Sequence, residues 1–488
     1  MTLPELFAPT FTARARDVAL EWACHEYTFA DLDARANRMA ATLSARGLTT
    51  GDRLAIYLPN RVEYIDLFLA CTRLGVIVVP INILYRDREL RHIVHDSAPK
   101  AIVLTDPEWD RSIVAPWTGE VWPVDELSRQ AAPTSGVAPV PPLTSSTPAA
   151  IVYTSGTTGA AKGAVITHGN LAANAATLVA EWRITAADRF LLALPLFHVH
   201  GLGNGVHCWL LAGCRTRLLE RFEHQSAAST LLDFRPTLFF GVPTMYVRLL
   251  EVEHGIAREI GSRLRLCVSG SAPLPAQVLE DFDARYGQRI LERYGMTETL
   301  MTLSNPYDAE RRAGTVGLPL PGVSVRIVDE DGVNVPAESE GELLVRSPTL
   351  FAGYFNLPDA TARAFTDGWF RTGDIARRSA DGYVTLCGRR SDLIISGGFN
   401  IYPREIEDVL AEHPSVSEVA VRGIADDRRG EVPAAFVVPV AGGVADEQML
   451  IEWCSRQLAS FKVPRRVVFL DRLPRTALGK VQKNLLTL

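Results

Sequence analysis

The run Tyr153-Thr154-Ser155-Gly156-Thr157-Thr158-Gly159-Ala160-Ala161-Lys162-Gly163 constrains this chain more than any other feature. Small, hydroxyl-bearing and glycine residues with one lysine near the end are what a backbone needs to wrap polyphosphate. Glycine lets N–H groups approach the anion, while the hydroxyls and the ammonium add donors and charge. The loop therefore points to a nucleoside triphosphate. A Walker A loop is the obvious competitor, but counting from Gly156 sets Ala161 where that pattern has its second glycine and Gly163 where it has Ser or Thr. An ordinary surface loop is the other reading. The flanks argue against it: Ala149-Ala150-Ile151-Val152 and Ala164-Val165-Ile166 read as buried strands, so the loop is expected as a hairpin-like turn on a rigid sheet.

With 488 residues, 47% of them hydrophobic, the chain is long enough for two or more domains. A formal charge of -6 and the lack of a long basic run argue against nucleic acid or an anionic membrane surface as partner. A small molecule is the expected partner. The seven cysteines show no C-x-x-C pair and suit neither a disulfide framework nor a cysteine zinc site. Residues 1–20 lack an apolar leader core, and no apolar run reaches the ~18 residues of a membrane span, so a cytoplasmic location is expected.

Between residues 27 and 104 a helix-like stretch, Ala30 to Ala45, alternates with apolar runs at Leu54 to Leu58 and Gly75 to Pro80. That alternation predicts parallel βαβ units. Strands are expected again near Phe190 to Leu194, Thr237 to Phe240 and Leu264 to Val268, after a Pro/Ser/Thr-rich connection at 131–149. Past Gly314 the spacing shortens to strand and turn, as at Val323 to Val328 followed by Asp329 to Gly332. The last hundred residues restart with Asp392 to Ile395, a helix at Arg404 to Glu412 and a short strand at Val419 to Val421. The expected fold class is α/β: a large N-terminal domain, 1–389, of mixed α/β sheets with a β-rich subdomain, and a small mobile C-terminal α+β domain, 390–488.

Short motifs in a fixed order sharpen this: the phosphate loop, Pro195-Leu196-Phe197-His198, Gly270-Ser271-Ala272-Pro273, Arg293-Tyr294-Gly295-Met296-Thr297-Glu298, Thr372-Gly373-Asp374, Gly388-Arg389, Ser396-Gly397-Gly398-Phe399-Asn400 and Gly479-Lys480. This series resembles the adenylate-forming superfamily of acyl-CoA synthetases, peptide-synthetase adenylation domains and luciferases, over essentially the whole chain. The resemblance implies ATP, Mg²⁺ and coenzyme A. It assigns Thr154, Ser155, Gly156, Thr157, Thr158, Gly159 and Lys162 to the β and γ phosphates, Thr297 to the α-phosphate, and Glu298 with Thr154 to Mg²⁺, a hard cation suited to oxygen ligands. Gly270, Ser271, Ala272 and Pro273 would run along adenine, with Tyr294 flanking the base and Glu292, Arg293, Gly295 and Met296 completing that wall. Asp374 would accept both ribose hydroxyls beside Arg389.

By the same resemblance Lys480 bridges the substrate carboxylate and the α-phosphate during adenylation. The small domain then rotates about Ser391 or Asp392, exchanging the lysine for Ser396, Gly397 and Gly398 beside the CoA channel. Two positions depart from relatives: Ser391 replaces a usual Asp or Lys, and Ala161 a usual proline.

For the acid, Arg248 and Arg293 stand out, since a purely fatty pocket has no use for guanidinium groups. The block from Glu292 to Met301, with Leu194 to Leu202 and Phe240 to Tyr246, is similar to malonyl-CoA synthetases. His198, Arg248, Arg293 and Met301 are the expected acyl contacts, and malonate or methylmalonate the expected acid. Ordinary ion pairs to Glu251 or Glu292 are the competing reading of the arginines. The alternatives within the superfamily are a medium-chain or aromatic acyl-CoA ligase, a stand-alone adenylation protein loading an acyl carrier protein and, more remotely, a light-emitting oxygenase.

Overall fold

Several helices begin where a threonine hydroxyl replaces a missing backbone partner. Thr2, Thr28 and Thr167 each accept from the backbone three residues on, and the side chain there returns the bond, opening helices Leu3–Ala13, Phe29–Ala45 and His168–Glu181. The computed structural model describes residues 1–106, 108–131, 141–154, 161–396, 399–426, 429–441, 446–458, 460–476 and 479–488. Among these residues the strands form four sheets.

The largest runs, by strand, Leu318–Pro319, Leu300–Ser304, Leu291–Met296, Leu266–Ser269, Leu238–Gly241, Arg189–Leu192, Arg215–Leu218, Val18–Trp22 and His25–Thr28, and its strands from Leu291–Met296 to Val18–Trp22 are parallel. The second runs Gly353–Tyr354, Lys162–Thr167, Pro148–Thr154, Ile77–Pro80, Arg53–Tyr57, Ala101–Leu104 and Glu120–Pro123. Period-two alternation divides their side chains between cores. Leu54, Ile56, Phe190, Leu192 and Phe240 share one cluster with Leu32, Leu67 and Phe68, whereas Ala55 and Val79 face Leu90 and Ile93, and Leu191 and Phe239 face Phe234 and Phe282. Both faces of the central parallel strands are thus covered, which is why Ile77–Pro80, Ala101–Leu104 and Leu238–Gly241 read as unbroken apolar stretches.

A third, antiparallel sheet holds Ser324–Val328, Gly341–Arg346, Trp369–Arg378, Phe365–Thr366 and Val384–Arg389, as the shorter spacing past Gly314 predicts. A short 3-10 turn, Arg390–Asp392, leads to the fourth sheet, of Ile394–Ser396, Phe399–Ile401, Gly430–Pro439, Val416–Asp426 and the parallel Arg466–Phe469. The strand expected only at Val419 to Val421 therefore extends over eleven residues. Its partner Gly430–Pro439 pairs along nearly its full length, and that pairing, not local apolarity, sets its extent. Of the connection expected at 131–149, residues 132–140 lie outside the described residues, and strand Pro148–Thr154 already occupies its end. All seven cysteines are free. Among the described residues no helix is long and apolar enough to cross a membrane.

Candidate active site

Adjacent parallel strands end along one edge, and their following segments supply the predicted acyl and adenine residues: Leu194 to His198 after Arg189–Leu192, helix Pro243–Leu249 after Leu238–Gly241, and Gly270 to Pro273 after Leu266–Ser269. The carboxyl edge of parallel strands is the usual ligand site of such sheets. Asn60, buried, pins the first segment by donating to the Leu194 carbonyl at 2.9 Å and accepting the Leu196 N–H at 2.8 Å.

In the register of the next pair Ser269 lies opposite Glu292, so Arg293 falls one step beyond the strand end, against Gly270. A Cβ on Gly270 would stand 2.3 Å from the guanidinium carbon of Arg293, so a side chain there would have to displace that guanidinium. Arg293 is 3% exposed, and neither its Nε nor its Nη2 has a hydrogen-bond partner among the described residues. Burial lowers its pKa to about 9, against the opposing pull of Tyr246 and Glu292. A buried cation without a partner is costly and calls for an anion.

Two histidines share this environment without adding charge. The His200 N–H donates to His198 Nδ1 at 3.1 Å, so that nitrogen carries no proton, and burial followed by the Arg293 charge pushes the His198 pKa down to about 3. His200 is buried, with Nδ1 3.2 Å from Ser271 Oγ and Nε2 unpartnered among the described residues, and burial with the same guanidinium holds it well below its ordinary pKa. Ser271 itself sits at φ +70, a strained position for a residue with a Cβ. Glu292 has one oxygen on the Leu274 N–H at 3.0 Å and the other buried without a partner; burial raises its pKa to about 7.

One residue further along, the pattern reverses. The Tyr294 hydroxyl donates to Asp374 Oδ2 at 2.5 Å, and Arg389 Nε meets Asp374 Oδ1 at 2.6 Å. Asp374 and Arg389 are direct partners in adjacent strands. Burial raises the Asp374 pKa, while Arg389 and Tyr294 oppose it.

Lys480 lies past the fourth sheet, in a turn packed against Thr244, within the electrostatic influence of Asp374 and Arg389. It is exposed, yet the crowding around its ammonium and the Arg389 charge lower its pKa, with Asp374 and Asp392 pulling the other way. Its turn closes through Thr476 N–H to the Lys480 carbonyl at 2.7 Å, with Gly479 at φ +78 and close enough to Thr244 that a Cβ would lie 3.2 Å from its hydroxyl. Arg475 braces the turn by donating to the Gly479 carbonyl and pairing with Glu418 at 2.7 Å.

Around the predicted phosphate loop, strands Pro148–Thr154 and Lys162–Thr167 are antiparallel neighbours as expected, while Ser155, Gly156, Thr157, Thr158 and Gly159 lie outside the described residues. Thr154 Oγ1 donates to the Lys162 carbonyl at 3.4 Å. Thr297 and Glu298 occupy the turn between Leu291–Met296 and Leu300–Ser304. Glu298 is 6% exposed, accepts the Tyr354 hydroxyl at 3.0 Å, and forms no ion pair among the described residues. A buried carboxylate with no ion-pair partner among the described residues suits a hard divalent cation. No cluster of three metal-ligating side chains exists among the described residues, so such a cation would take most of its shell from phosphate and water oxygens.

The expected pair of arginines is not assembled. Arg248 lies on the outer side of helix Pro243–Leu249, whose buried residues are Pro243, Tyr246 and Leu249, and pairs with Glu251 at 2.8 Å with its side chain 56% exposed. The ion-pair reading of Arg248 is therefore the one this structure supports. Met301 is buried, and its N–H donates to Asn174 Oδ1 at 3.0 Å; Asn174 in turn donates to Gly203 and Asn204 in the π-helical turn His200–Val206. Ser396 is buried, its hydroxyl without a partner among the described residues, and Gly397 and Gly398 lie outside them. Ser391 donates to Asp392 at 3.2 Å, and Arg390 pairs with Glu342 at 3.1 Å. Asn60, Asn174, Tyr354 and Arg475 are the polar residues of this region that sequence reasoning missed. An asparagine within an apolar helical pattern was the one available signal, at Asn174.

Residues 8–355 match the AMP-binding enzyme family, and residues 405–480 match the AMP-binding enzyme C-terminal domain. A feruloyl-CoA synthase of Amycolatopsis sp is 37% identical, covering 94% of this chain and 92% of that protein. A malonate–CoA ligase of Arabidopsis thaliana is 35% identical over 90% of this chain and 78% of its own length. A crystal structure of ATP-bound MatB from Rhodopseudomonas palustris superposes with a TM-score of 0.94 at 40% identity, covering 99% of this chain and 98% of the other.

Proposed function

Given that the chain belongs to the AMP-binding enzyme family, we propose that it is an ATP-dependent acyl-CoA ligase for a small acid with a second anionic group, malonate first and methylmalonate beside it. The observation that carries the acid is Arg293, a buried guanidinium with two unpartnered nitrogens, next to histidines that contribute no charge. A distal carboxylate would supply the missing counter-ion through a charge-assisted pair.

In this reading the proximal carboxylate attacks the α-phosphorus of ATP, forming the acyl adenylate as the P–O bond to pyrophosphate breaks. The CoA thiolate then attacks the acyl carbon, forming the thioester as AMP leaves. Charge handling is the main task. Lys480 stands near Asp374 and Arg389, where it would balance the growing charge between carboxylate and α-phosphate. Asp374, oriented by Tyr294 and Arg389, would hold the ribose hydroxyls. Glu298 would hold Mg²⁺, whose chemistry is to neutralise phosphate charge, and Lys162 and Thr154 would steady the phosphates. Ser396, Gly397 and Gly398 would border the CoA thiol after residues 390–488 rotate relative to 1–389.

A panel of acids assayed for CoA-dependent AMP release tests this. Malonate and methylmalonate should exceed propionate, octanoate, benzoate and ferulate. A preference for ferulate or octanoate would overturn the acid assignment, and a preference for a phosphopantetheinyl carrier over CoA would overturn the acceptor.

A further inference from the structure

The segment Phe351 to Phe355 belongs neither to the phosphate hairpin nor to the turn that carries Glu298, yet it is tied to both. The Phe351 N–H donates to the Glu298 carbonyl at 2.8 Å, Ala352 N–H to Val165 at 2.8 Å, and Phe355 N–H to Gly163 at 2.7 Å. Within it, Tyr354 pairs in register with Ala164, two residues from Lys162. Its side chain then makes two unlike contacts. The hydroxyl donates to Glu298 Oε1 at 3.0 Å, and the Lys162 ammonium lies 5.0 Å from the ring centroid. The ring is itself held by Phe351, edge-to-face at 4.8 Å, and the Tyr354 N–H is taken by Thr361 Oγ1 at 2.8 Å.

We propose that Tyr354 is a positioning residue with two separable tasks, orienting the Glu298 carboxylate through its hydroxyl and holding the Lys162 ammonium over its ring face. This rests on the nucleotide-ligase reading above. The chemistry of each contact fits its task. A hydrogen bond to one carboxylate oxygen fixes the rotamer and leaves the second oxygen for a cation, as outer partners of metal ligands do. A ring face steadies an ammonium without cancelling its charge, whereas a carboxylate partner would compete with phosphate. Among the described residues Lys162 forms no ion pair, in keeping with a cation reserved for an anionic ligand.

Two substitutions separate the tasks. Tyr354→Phe keeps the ring and loses the hydroxyl, so the Mg²⁺ concentration for half-maximal ATP–pyrophosphate exchange should rise about ten-fold. Binding of Mn²⁺ to the ATP complex, followed by the electron paramagnetic resonance of free Mn²⁺, should weaken by a similar factor, while ATP affinity at saturating Mg²⁺ stays within about two-fold. Tyr354→Leu loses both contacts and should add about a two- to five-fold loss of ATP affinity at saturating Mg²⁺. Circular dichroism and thermal unfolding establish that both variants are folded. An unchanged metal dependence in Tyr354→Phe, or equal loss of metal and ATP binding in both variants, overturns the assignment. A parent protein that binds no ATP would instead overturn the ligase reading on which it rests.

Discussion

Arg293 and Tyr294 are neighbours on one strand, both almost wholly buried, and they meet opposite fates. Tyr294 closes a complete chain, hydroxyl to Asp374 and Asp374 to Arg389. Arg293 keeps two nitrogens without a partner, and Glu292 before it keeps one oxygen without one. A satisfied cluster holds its geometry before any ligand arrives, so its carboxylate is fixed in place. An unsatisfied buried charge does the reverse: it weakens the free protein and is relieved only by what binds. In the proposed reading the two halves of the strand would divide the work, the satisfied cluster holding the nucleotide and the unsatisfied charge meeting the acid.

The strongest way to sharpen this contrast is at Lys480, which shares the field of the satisfied cluster. Lys480→Ala should slow acyl-adenylate formation by about 10²–10³ or more, the equivalent of roughly 3–4 kcal/mol from one lost transition-state cation. Thioester formation from supplied adenylate should stay nearly intact. Equal damage to both half-reactions would break the link between the lysine and adenylation.

The unsatisfied half is tested at Arg293. Arg293→Ala should lower kcat/KM for malonate by about 30-fold to several thousand-fold, from roughly 2–5 kcal/mol for truncating one partner of a buried charge pair. Propionate or butyrate turnover should fall far less, and the ligand-free variant should melt no lower than the parent, because the residue removed was an unpaired buried charge. If malonate and butyrate suffer equally, Arg293 serves the fold and the contrast fails.

Glu292 gives a pH signature. Burial raises its pKa from the ordinary 4.5 to about 7, so the folded state favours the neutral acid. Its stabilising contribution is complete below about pH 4.5 and is lost as pH rises to about 7, for a total on the order of 3 kcal/mol. Thermal unfolding of Glu292→Gln should show a flatter profile across that window and a higher Tm than the parent at pH 8. Parallel pH profiles for the two proteins would show that the carboxyl titrates normally.

Arg248 should give the smallest effect. An exposed pair such as Arg248–Glu251 contributes about 0–1 kcal/mol, so Arg248→Ala should change stability by less than about 1 kcal/mol and malonate kcat/KM by less than about five-fold. A loss comparable to that of Arg293→Ala would return Arg248 to the acyl site.

The two arginines also show where reading a sequence stops. Both stand in segments that resemble the same family, and nothing local distinguishes them. Helical geometry turns one outward beside Glu251, while strand register sets the other against Gly270. Tyr354 was invisible for a similar reason: its partners Glu298 and Lys162 lie 56 and 192 residues away, and a tyrosine after a glycine carries no local mark of either contact.

Local chemistry and the order of motifs sufficed for the family and fold class, the phosphate hairpin between two apolar strands, and the β-rich segment past Gly314. The family came from resemblance of the motif series, and the rest from periodicities and short spacings that a chain carries in itself. Only the tertiary structure decided which polar groups are satisfied. It closed Tyr294, Asp374 and Arg389 into one cluster, left Arg293 Nε and Nη2 without a hydrogen-bond partner among the described residues, and set the turn before Lys480 against Thr244. Hydrogen-bond satisfaction and burial are properties of pairs distant in sequence, so they come into existence only when the sheets are assembled.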